Sequence, residues 1–347
     1  MSVTVVVGGQ FGSEGKGKVA QYASAAPDVA AAIRVGGSNS GHTAICRDGT
    51  PVVLRHLPTA AVLPEVLCLL APGTYLDVSV LLDEIARVAL DPRRLVIDPK
   101  AFVITGADRA AEAAGDLGAQ IGSTNSGTGA AVARRIARSG DSRLARDIPE
   151  LQPFIQETNP LMRQLLGRRK RVVVEGTQGF GLSLLHSPHY PFTTTRDTTA
   201  AGAVAEAGLS PRDVDEIYLV IRAFPIRVAG SSGPLQHETT WEDVTEMSGA
   251  SEPLAEYTSV TGRIRRVARF DPAIVQAAIS HNQPTAVFMN HVDYIDAECG
   301  RRGELTETGR EFVINAATSI GRSIDYVGVG RAPEFLPGRV SLTALAS

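Results

Sequence analysis

Cysteine is scarce. Cys46, Cys68 and Cys299 are the only three in 347 residues, they lie far apart, and they show no metal-ligand spacing. An odd, scattered set argues against a disulfide framework and suits a reducing cytoplasm, where each reads as a small core-filling residue. Long apolar runs are lacking too. No stretch approaches the ~20 residues that a bilayer-spanning helix needs, and no basic region precedes the first apolar run, so neither a signal peptide nor a membrane partner is expected. Charge of one sign is also missing. The net charge of -3 gives no general attraction to nucleic acid, although a local basic site stays open. Internal repeats and low-complexity linkers are absent, so one continuous domain over residues 1–347 is preferred to the two that the length would also allow.

What is present alternates. Short β-branched runs recur at residues 3–7, 171–174, 217–221 and 285–289, and Ala-rich stretches with helical spacing stand between them, as at 108–119 and 130–138. Strands alternating with helices predict an α/β fold, a central and mainly parallel sheet flanked by helices. Three Gly/Ser/Thr-rich segments, 36–43, 122–129 and 193–202, interleave chemistry-capable residues and read as site loops. The basic run 168–171 ahead of a strand reads as a solvated helix end.

The first loop is GGQFGSEGKGK, Gly8 to Lys18. Strand, glycine loop and helix is the arrangement that aims backbone N–H groups and a helix N-terminus at a phosphate. Gln10 and Gly17 exclude a Walker A loop, and the glycine spacing excludes a dinucleotide fingerprint. A glycine-rich turn with two surface lysines is the competing reading. The second loop, VGGSNSGHT, adds an amide, an imidazole and a hydroxyl from Asn39, His42 and Thr43. A histidine set between glycine and threonine after a short strand is a general-acid candidate.

A series of motifs then resembles the adenylosuccinate synthetase family. Its loop G-x-Q-x-G-D-E-G-K-G-K is similar to Gly8–Lys18, and its N-A-G-H-T to Asn39-Ser40-Gly41-His42-Thr43. Its G-T-T-G-x-G-x-G is similar to 122–129, and V-A-R-R to Val132-Ala133-Arg134-Arg135. E-G-A-Q-G resembles Glu175-Gly176-Thr177-Gln178-Gly179, and Y-P-Y-V-T-S resembles residues 190–195. T-T-G-R-x-R resembles Val260-Thr261-Gly262-Arg263-Ile264-Arg265. The segments fall in family order over nearly the whole chain, which is shorter than the common bacterial form.

The resemblance implies the family's fold, related to P-loop NTPases, and its reaction. A 6-oxopurine nucleotide is phosphorylated at O6 by a nucleoside triphosphate, and aspartate's amine then displaces the phosphate. By motif position, Gly12, Ser13, Glu14, Gly15, Lys16, Gly17 and Lys18, with Gly41, His42 and Thr43, should meet the triphosphate. His42 is the implied general acid. Ser13 and Gly41 stand where the family holds Mg²⁺. Asn39, Thr124, Arg134 and Thr194 should bind the acceptor nucleotide, with Gln178 near its O6 and N1. Thr261, Arg263 and Arg265 should bind aspartate, because guanidinium binds carboxylate bidentately. Asn290, Asp293 and Gly328 should meet the donor base, with Arg331 loosely beside them. In the family the arginine at Arg134 reaches in from the partner subunit, which implies a homodimer. His186, His189, His237 and His281 carry no motif and read as structural or surface residues.

Two departures stand out. Ser13 replaces the loop aspartate that serves the family as base at N1. An ordinary serine hydroxyl is uncharged at neutral pH and needs a neighbouring base. The change reads in three ways: a catalytically silent homologue, a conventional synthetase acting on IMP with its base supplied elsewhere, or a changed acceptor. The third resembles the compact phage enzymes that make 2-aminoadenylosuccinate from dGMP, since a small neutral side chain leaves room for the guanine 2-amino group. The N1 proton would then pass to aspartate's carboxylate or amine, or to a metal-bound water. The family's guanine-reading T-K-x-D becomes Met289-Asn290-His291-Val292-Asp293, so His291 replaces the lysine that covers the donor base. The phage resemblance favours ATP or dATP as donor, with GTP as the lesser alternative because Asp293 is kept.

Overall fold

The first apolar run becomes the strand Ser2–Gly8. Val3, Val5 and Val7 enter one core cluster and Val6 another. A parallel strand covered on both faces has no polar side, which is why no alternation marks it in the sequence. The computed structural model describes residues 2–258 and 262–338. Within them this strand lies near the middle of a nine-stranded sheet. The order is Leu336–Pro337, Tyr326–Val327, Ala286–Asn290, Val214–Arg222, Ser2–Gly8, Arg171–Glu175, Val29–Arg34, Leu67–Leu70 and Leu95–Ile97. Every neighbouring pair is parallel except the terminal Tyr326–Val327 with Leu336–Pro337.

Helix Lys16–Ser24 lays Val19 and Ala20 on one face of the sheet, over Val6, Val173, Val220 and Phe288. On the other face, helices Thr158–Gly167, Ala200–Ala207, Pro272–Asn282 and Glu307–Ile320 bring Met162, Val204, Val275 and Val313 against Val5, Val174 and Leu219. The result is the expected single α/β domain. No described helix is long and apolar enough to cross a membrane. Cys68 and Cys299 are buried, Cys46 is half-buried, and all three are free.

The helix expected over 108–119 divides into Gly106–Ala114 and Leu117–Ile121. Gly115 closes the first piece, and Asp116 takes a left-handed φ of 49° that a continuous helix cannot contain. The stretch expected over 130–138 is Thr128–Ala137, closed by Arg138 with φ 54°.

Parallel strands bring their carboxyl ends to one edge, where open α/β sheets bind ligands. Gly8, Arg34, Glu175, Arg222 and Asn290 are the last residues of five neighbouring strands. Arg34 and Arg222 are among the largest fully buried side chains of the molecule. A buried charge needs a partner: Arg34 Nη1 lies 3.4 Å from Glu175, and Arg222 pairs with Glu256.

Candidate active site

The loop after the first strand is shaped by Glu14. Its carboxylate turns inward and accepts from Gln10 N (3.1 Å), Gly12 N (2.8 Å) and Lys16 Nζ (2.6 Å). Glu14 therefore builds the loop and leaves its backbone neighbours to face the cleft. Gly17 is held against His42, because a Cβ there would sit 2.8 Å from the His42 Cβ. Ser13 takes a left-handed φ of 54° and lines the cleft. Its carbonyl accepts from Arg222 Nη1 at 2.8 Å.

Lys16 lines the cleft, but Lys18 does not join it. Both lie on helix Lys16–Ser24, and residues two apart on a helix point to nearly opposite sides. Lys18 Nζ instead donates to the Gly330 carbonyl at 2.7 Å and lies over the Phe335 ring. Burial lowers its pKa to about 8, against the pull of Asp293 and Glu334. Gly328 packs against Asn290 and Lys18, and Asn290 Nδ2 donates to the Glu14 carbonyl at 2.8 Å. Asn290, Asp293, Gly328 and Lys18 thus form a second group behind the glycine loop, outside the main cleft. Burial raises the pKa of the Asp293 carboxyl within it.

Asn39, Ser40, Gly41 and His42 line the cleft as well. Thr43, expected beside them, is exposed, since strand His42–Ile45 alternates and His42 takes the inward side. His42 Nδ1 is 2.5 Å from Glu175 Oε1. Glu175 Oε2 accepts from Thr59 N and Thr59 Oγ1, both at 2.8 Å. Burial alone would raise the Glu175 pKa, but His42 and Arg34 hold it below the usual range. An ionised Glu175 fixes the proton of His42 on Nδ1 and leaves Nε2 as the free ring nitrogen. Burial and the Arg34 guanidinium push His42 down to about 4.

Gly122, Ser123, Thr124, Ser126, Thr128 and Gly129 form one wall, and Thr193, Thr194 and Thr195 another. The first wall is held by Glu112, which accepts from Gly127 N (2.7 Å), Gly129 N (2.5 Å) and Ala130 N (3.2 Å). Gln178, with φ 62°, lines the cleft beside Gly12. Arg263 and Arg265 also line the cleft. Arg265 Nε donates to the Tyr257 carbonyl at 3.2 Å. Thr261 lies outside the described residues. Arg227 also lines the cleft, over the Phe11 ring, and burial and Arg266 lower its pKa to about 10.

Arg134 is not part of this lining. Its Nε and Nη2 donate to the two Asp108 oxygens at 2.9 and 2.7 Å, and Nη2 also donates to the Val103 carbonyl. Arg331 is exposed. Sequence reasoning gave no role to Glu175, Glu112, Arg222 or Arg227. Each acts through partners distant in the chain, and only the E-G-T-Q-G motif offered a signal for Glu175.

Among the described residues no group of three or more His, Cys, Asp or Glu side chains could cage a metal ion. Glu112 is the one carboxylate among the described residues that line the cleft and is held by backbone amides, which leaves the Ser13 hydroxyl and the Gly41 backbone near the phosphate loop. Magnesium is commonly carried by substrate phosphates and water with few protein ligands, so this sparse set fits an ion that arrives on a triphosphate.

Among the described residues lining the cleft, the cations Lys16, Arg227, Arg263 and Arg265 outnumber one carboxylate, Glu112. That balance suits polyanions, and with a glycine loop at the carboxyl edge of a parallel sheet it defines a nucleotide-binding α/β protein. The adenylosuccinate synthetase family model matches residues 5–146 and 142–300. The adenylosuccinate synthetase of Methanocaldococcus jannaschii is 32% identical over 343 residues, 95% of this chain and 94% of the relative. That of Pyrococcus sp. strain ST700 is 32% identical over 98% of this chain and 99% of its own. Among solved structures, the succinoaminodeoxyadenylate synthetase (PurZ) of cyanophage S-2L, bound to dGMP and dATP as an energy donor, superposes with a TM-score of 0.82. It is 29% identical and covers 98% of this chain and 96% of its own. The fully ligated adenylosuccinate synthetase from Plasmodium falciparum shares the fold, with a TM-score of 0.84 at 19% identity. The chain belongs to the adenylosuccinate synthetase family, ligases that form a C–N bond with aspartate and take nucleotides as substrates.

Proposed function

We propose that this ligase joins L-aspartate to C6 of dGMP with ATP or dATP as donor, giving N6-succino-2-amino-2′-deoxyadenylate, the nucleoside diphosphate and phosphate. The observation that carries the reading is Ser13: a small neutral side chain on the cleft lining, next in sequence to the Gly12 that packs on Gln178, in a site that otherwise keeps His42, Lys16, Arg263 and Arg265. A guanine 2-amino group beside N1 needs that room and can donate to the hydroxyl. The likeness to a phage enzyme bound to dGMP and dATP supports it. The second reading is IMP with GTP, favoured by the adenylosuccinate synthetases at 32% identity.

The chemistry has two stages. The purine O6 attacks the γ-phosphorus, and the bond to the β–γ bridging oxygen breaks. Glu175 keeps one proton on His42 Nδ1; the free Nε2 takes up a second proton as the anionic phosphates enter beside it, and holds that proton against the moving phosphoryl group. Lys16 and the loop amides offset its charge. Aspartate's amine then attacks C6, and phosphate leaves with the C–O electron pair. Arg263 and Arg265 orient aspartate through its carboxylates. Thr124 and Thr194 hold the acceptor phosphate, and Gln178 faces O6 and N1. Magnesium carried by the triphosphate would be held by Ser13 and the Gly41 backbone and would neutralise phosphate charge. Glu112 is held by three amides, so the N1 proton passes to aspartate's own carboxylate, which leaves the amine lone pair free for C6. Asn290, Asp293 and Gly328 meet the donor base. The enzyme works in the cytoplasm as a homodimer in which each cleft takes Arg134 from the partner.

The test is phosphate release with IMP, GMP and dGMP crossed with ATP, dATP and GTP, always with aspartate and Mg²⁺. Turnover with dGMP and an adenine donor well above that with IMP is expected. Robust turnover with IMP alone selects the second reading, and silence in every combination marks an inactive homologue.

A further inference from the structure

The aspartate end of the cleft and Ser13 are joined by one buried arginine. Arg222 is fully buried. Its Nη1 donates both to the Ser13 carbonyl (2.8 Å) and to Glu256 Oε2 (3.2 Å), and its Nη2 donates to Glu256 Oε1. The backbone of Arg222 is pinned as well: its N–H donates to Gln10 Oε1 at 2.9 Å, and its carbonyl accepts from Gln10 Nε2 at 3.1 Å. The stem of the arginine is therefore fixed, and its fork is shared between two loops.

Glu256 belongs to the element that carries Arg263 and Arg265. The Arg265 N–H donates to the Glu256 carbonyl at 2.8 Å, and the Thr258 N–H donates to the Arg263 carbonyl at 2.9 Å. Tyr257 and Ile264 form an antiparallel bridge between these bonds. Residues 256–258 and 263–265 thus move together as a small ladder, and a dicarboxylate drawing in the arginines also moves Glu256. Ser13 sits in a left-handed conformation that a non-glycine residue keeps only when its surroundings enforce it. The bond to its carbonyl from Arg222 is one such enforcement.

We propose that the Arg222–Glu256 pair is a positioning device that couples the aspartate loop to Ser13, so that filling the dicarboxylate site tightens the hold on the acceptor base. By reciprocity, the acceptor tightens the dicarboxylate by the same factor. The proposal rests on the reading of the site given above.

The experiment is calorimetric titration of dGMP and, in parallel, IMP, with and without succinate, a dicarboxylate with no amine and therefore no turnover. Succinate should tighten whichever acceptor the wild-type protein binds by about 5–150-fold, the usual span of such couplings. In Glu256→Gln the factor should fall below about twofold, with the affinity for acceptor alone changed by less than about threefold. Because that variant leaves Arg222 buried without its counter-charge, the double variant Arg222→Met with Glu256→Gln is measured beside it and should lose the coupling too. A wild-type factor near one, or a factor kept in both variants, overturns the device. So does a loss of acceptor affinity in the absence of succinate that accounts for the whole effect, since that marks a structural role alone. Coupling observed on IMP alone would leave the device standing and sink the dGMP reading; binding of neither nucleotide overturns both.

Discussion

His42 Nδ1 lies 2.5 Å from Glu175 Oε1, across 133 residues of sequence, and the other Glu175 oxygen is held by Thr59. The carboxylate therefore sets the tautomer and angle of the ring. His42→Ala should lower kcat by about 10²–10⁴, the reach of general acid catalysis. Glu175→Gln should lower kcat while leaving nucleotide KM values much less changed. The double variant should be no slower than His42→Ala alone, because the two act as a unit. Additive losses in steady-state kinetics would separate the two roles.

Ser13 lines the cleft in a left-handed conformation that aspartate also tolerates. Ser13→Asp restores a carboxylate at the N1/C2 edge and crowds a 2-amino group. The variant should lose turnover with dGMP and gain with IMP, shifting the ratio of the two kcat/KM values by at least tenfold, about 1.4 kcal/mol. An unchanged ratio would remove Ser13 from acceptor choice.

The sheet and the three polar loops were legible because their signals are local. Buried β-branched runs mark the strands, and runs of Gly, Ser and Thr mark the loops. The division of the helix at Gly115 and Asp116 was masked by the surrounding alanines, whose strong helix propensity hid a two-residue break. Lys16 and Lys18 looked equivalent as letters, and only helical geometry sends them apart. The roles of Glu112, Glu175 and Arg222 were illegible for a different reason. Glu112 meets amides 15–18 residues on, Glu175 meets His42 at 133, and Arg222 meets Ser13 at 209. Such pairings are set by topology, which no local pattern encodes.

Arg265 and Arg263 line the cleft from one short segment, while its threonine-rich walls are built by residues 122–129 and 193–195. Arg265→Leu should raise the aspartate KM by tenfold or more and leave acceptor and donor KM values within about threefold, since a lost bidentate ion pair is worth roughly 1.5–3 kcal/mol. Equal losses for aspartate and acceptor would show that the residue is placed wrongly.

Two buried histidines, His42 and His56, and the half-buried His291 make stability depend on pH. Burial, with Arg34, pushes His42 to about 4 and His56 to about 3, and burial with Arg222 pushes His291 to about 3. Unfolded, each titrates near 6.5. Between pH 6.5 and about 4 the unfolded chain therefore binds protons that the native state refuses, and stability falls as pH falls. Each group contributes up to about 1.4 kcal/mol per pH unit, so three remove several kcal/mol by pH 5. That is a large part of the roughly 5–15 kcal/mol typical of a domain. Urea midpoints should drop steadily from pH 7.5 to 5; a flat profile would mean the imidazoles reach solvent.

Arg134 is bound to Asp108 outside its own cleft, on the helix whose N-terminal Thr128 lines that cleft. The family's solution to this geometry is donation of the arginine across a two-fold axis, and closed two-fold dimers are the commonest soluble oligomers. Complementation tests it. An Arg134→Leu protein and a His42→Ala protein should each be nearly inactive. After subunit exchange, one cleft of each heterodimer combines its own His42 with an intact Arg134 from the partner. Random pairing makes half the dimers mixed, so roughly a quarter of wild-type activity should return at equal mixing. Mass-tagged subunits would confirm that heterodimers form. Silence despite heterodimers would place Arg134 outside the chemistry, and a fully active monomer by sedimentation would exclude a shared cleft.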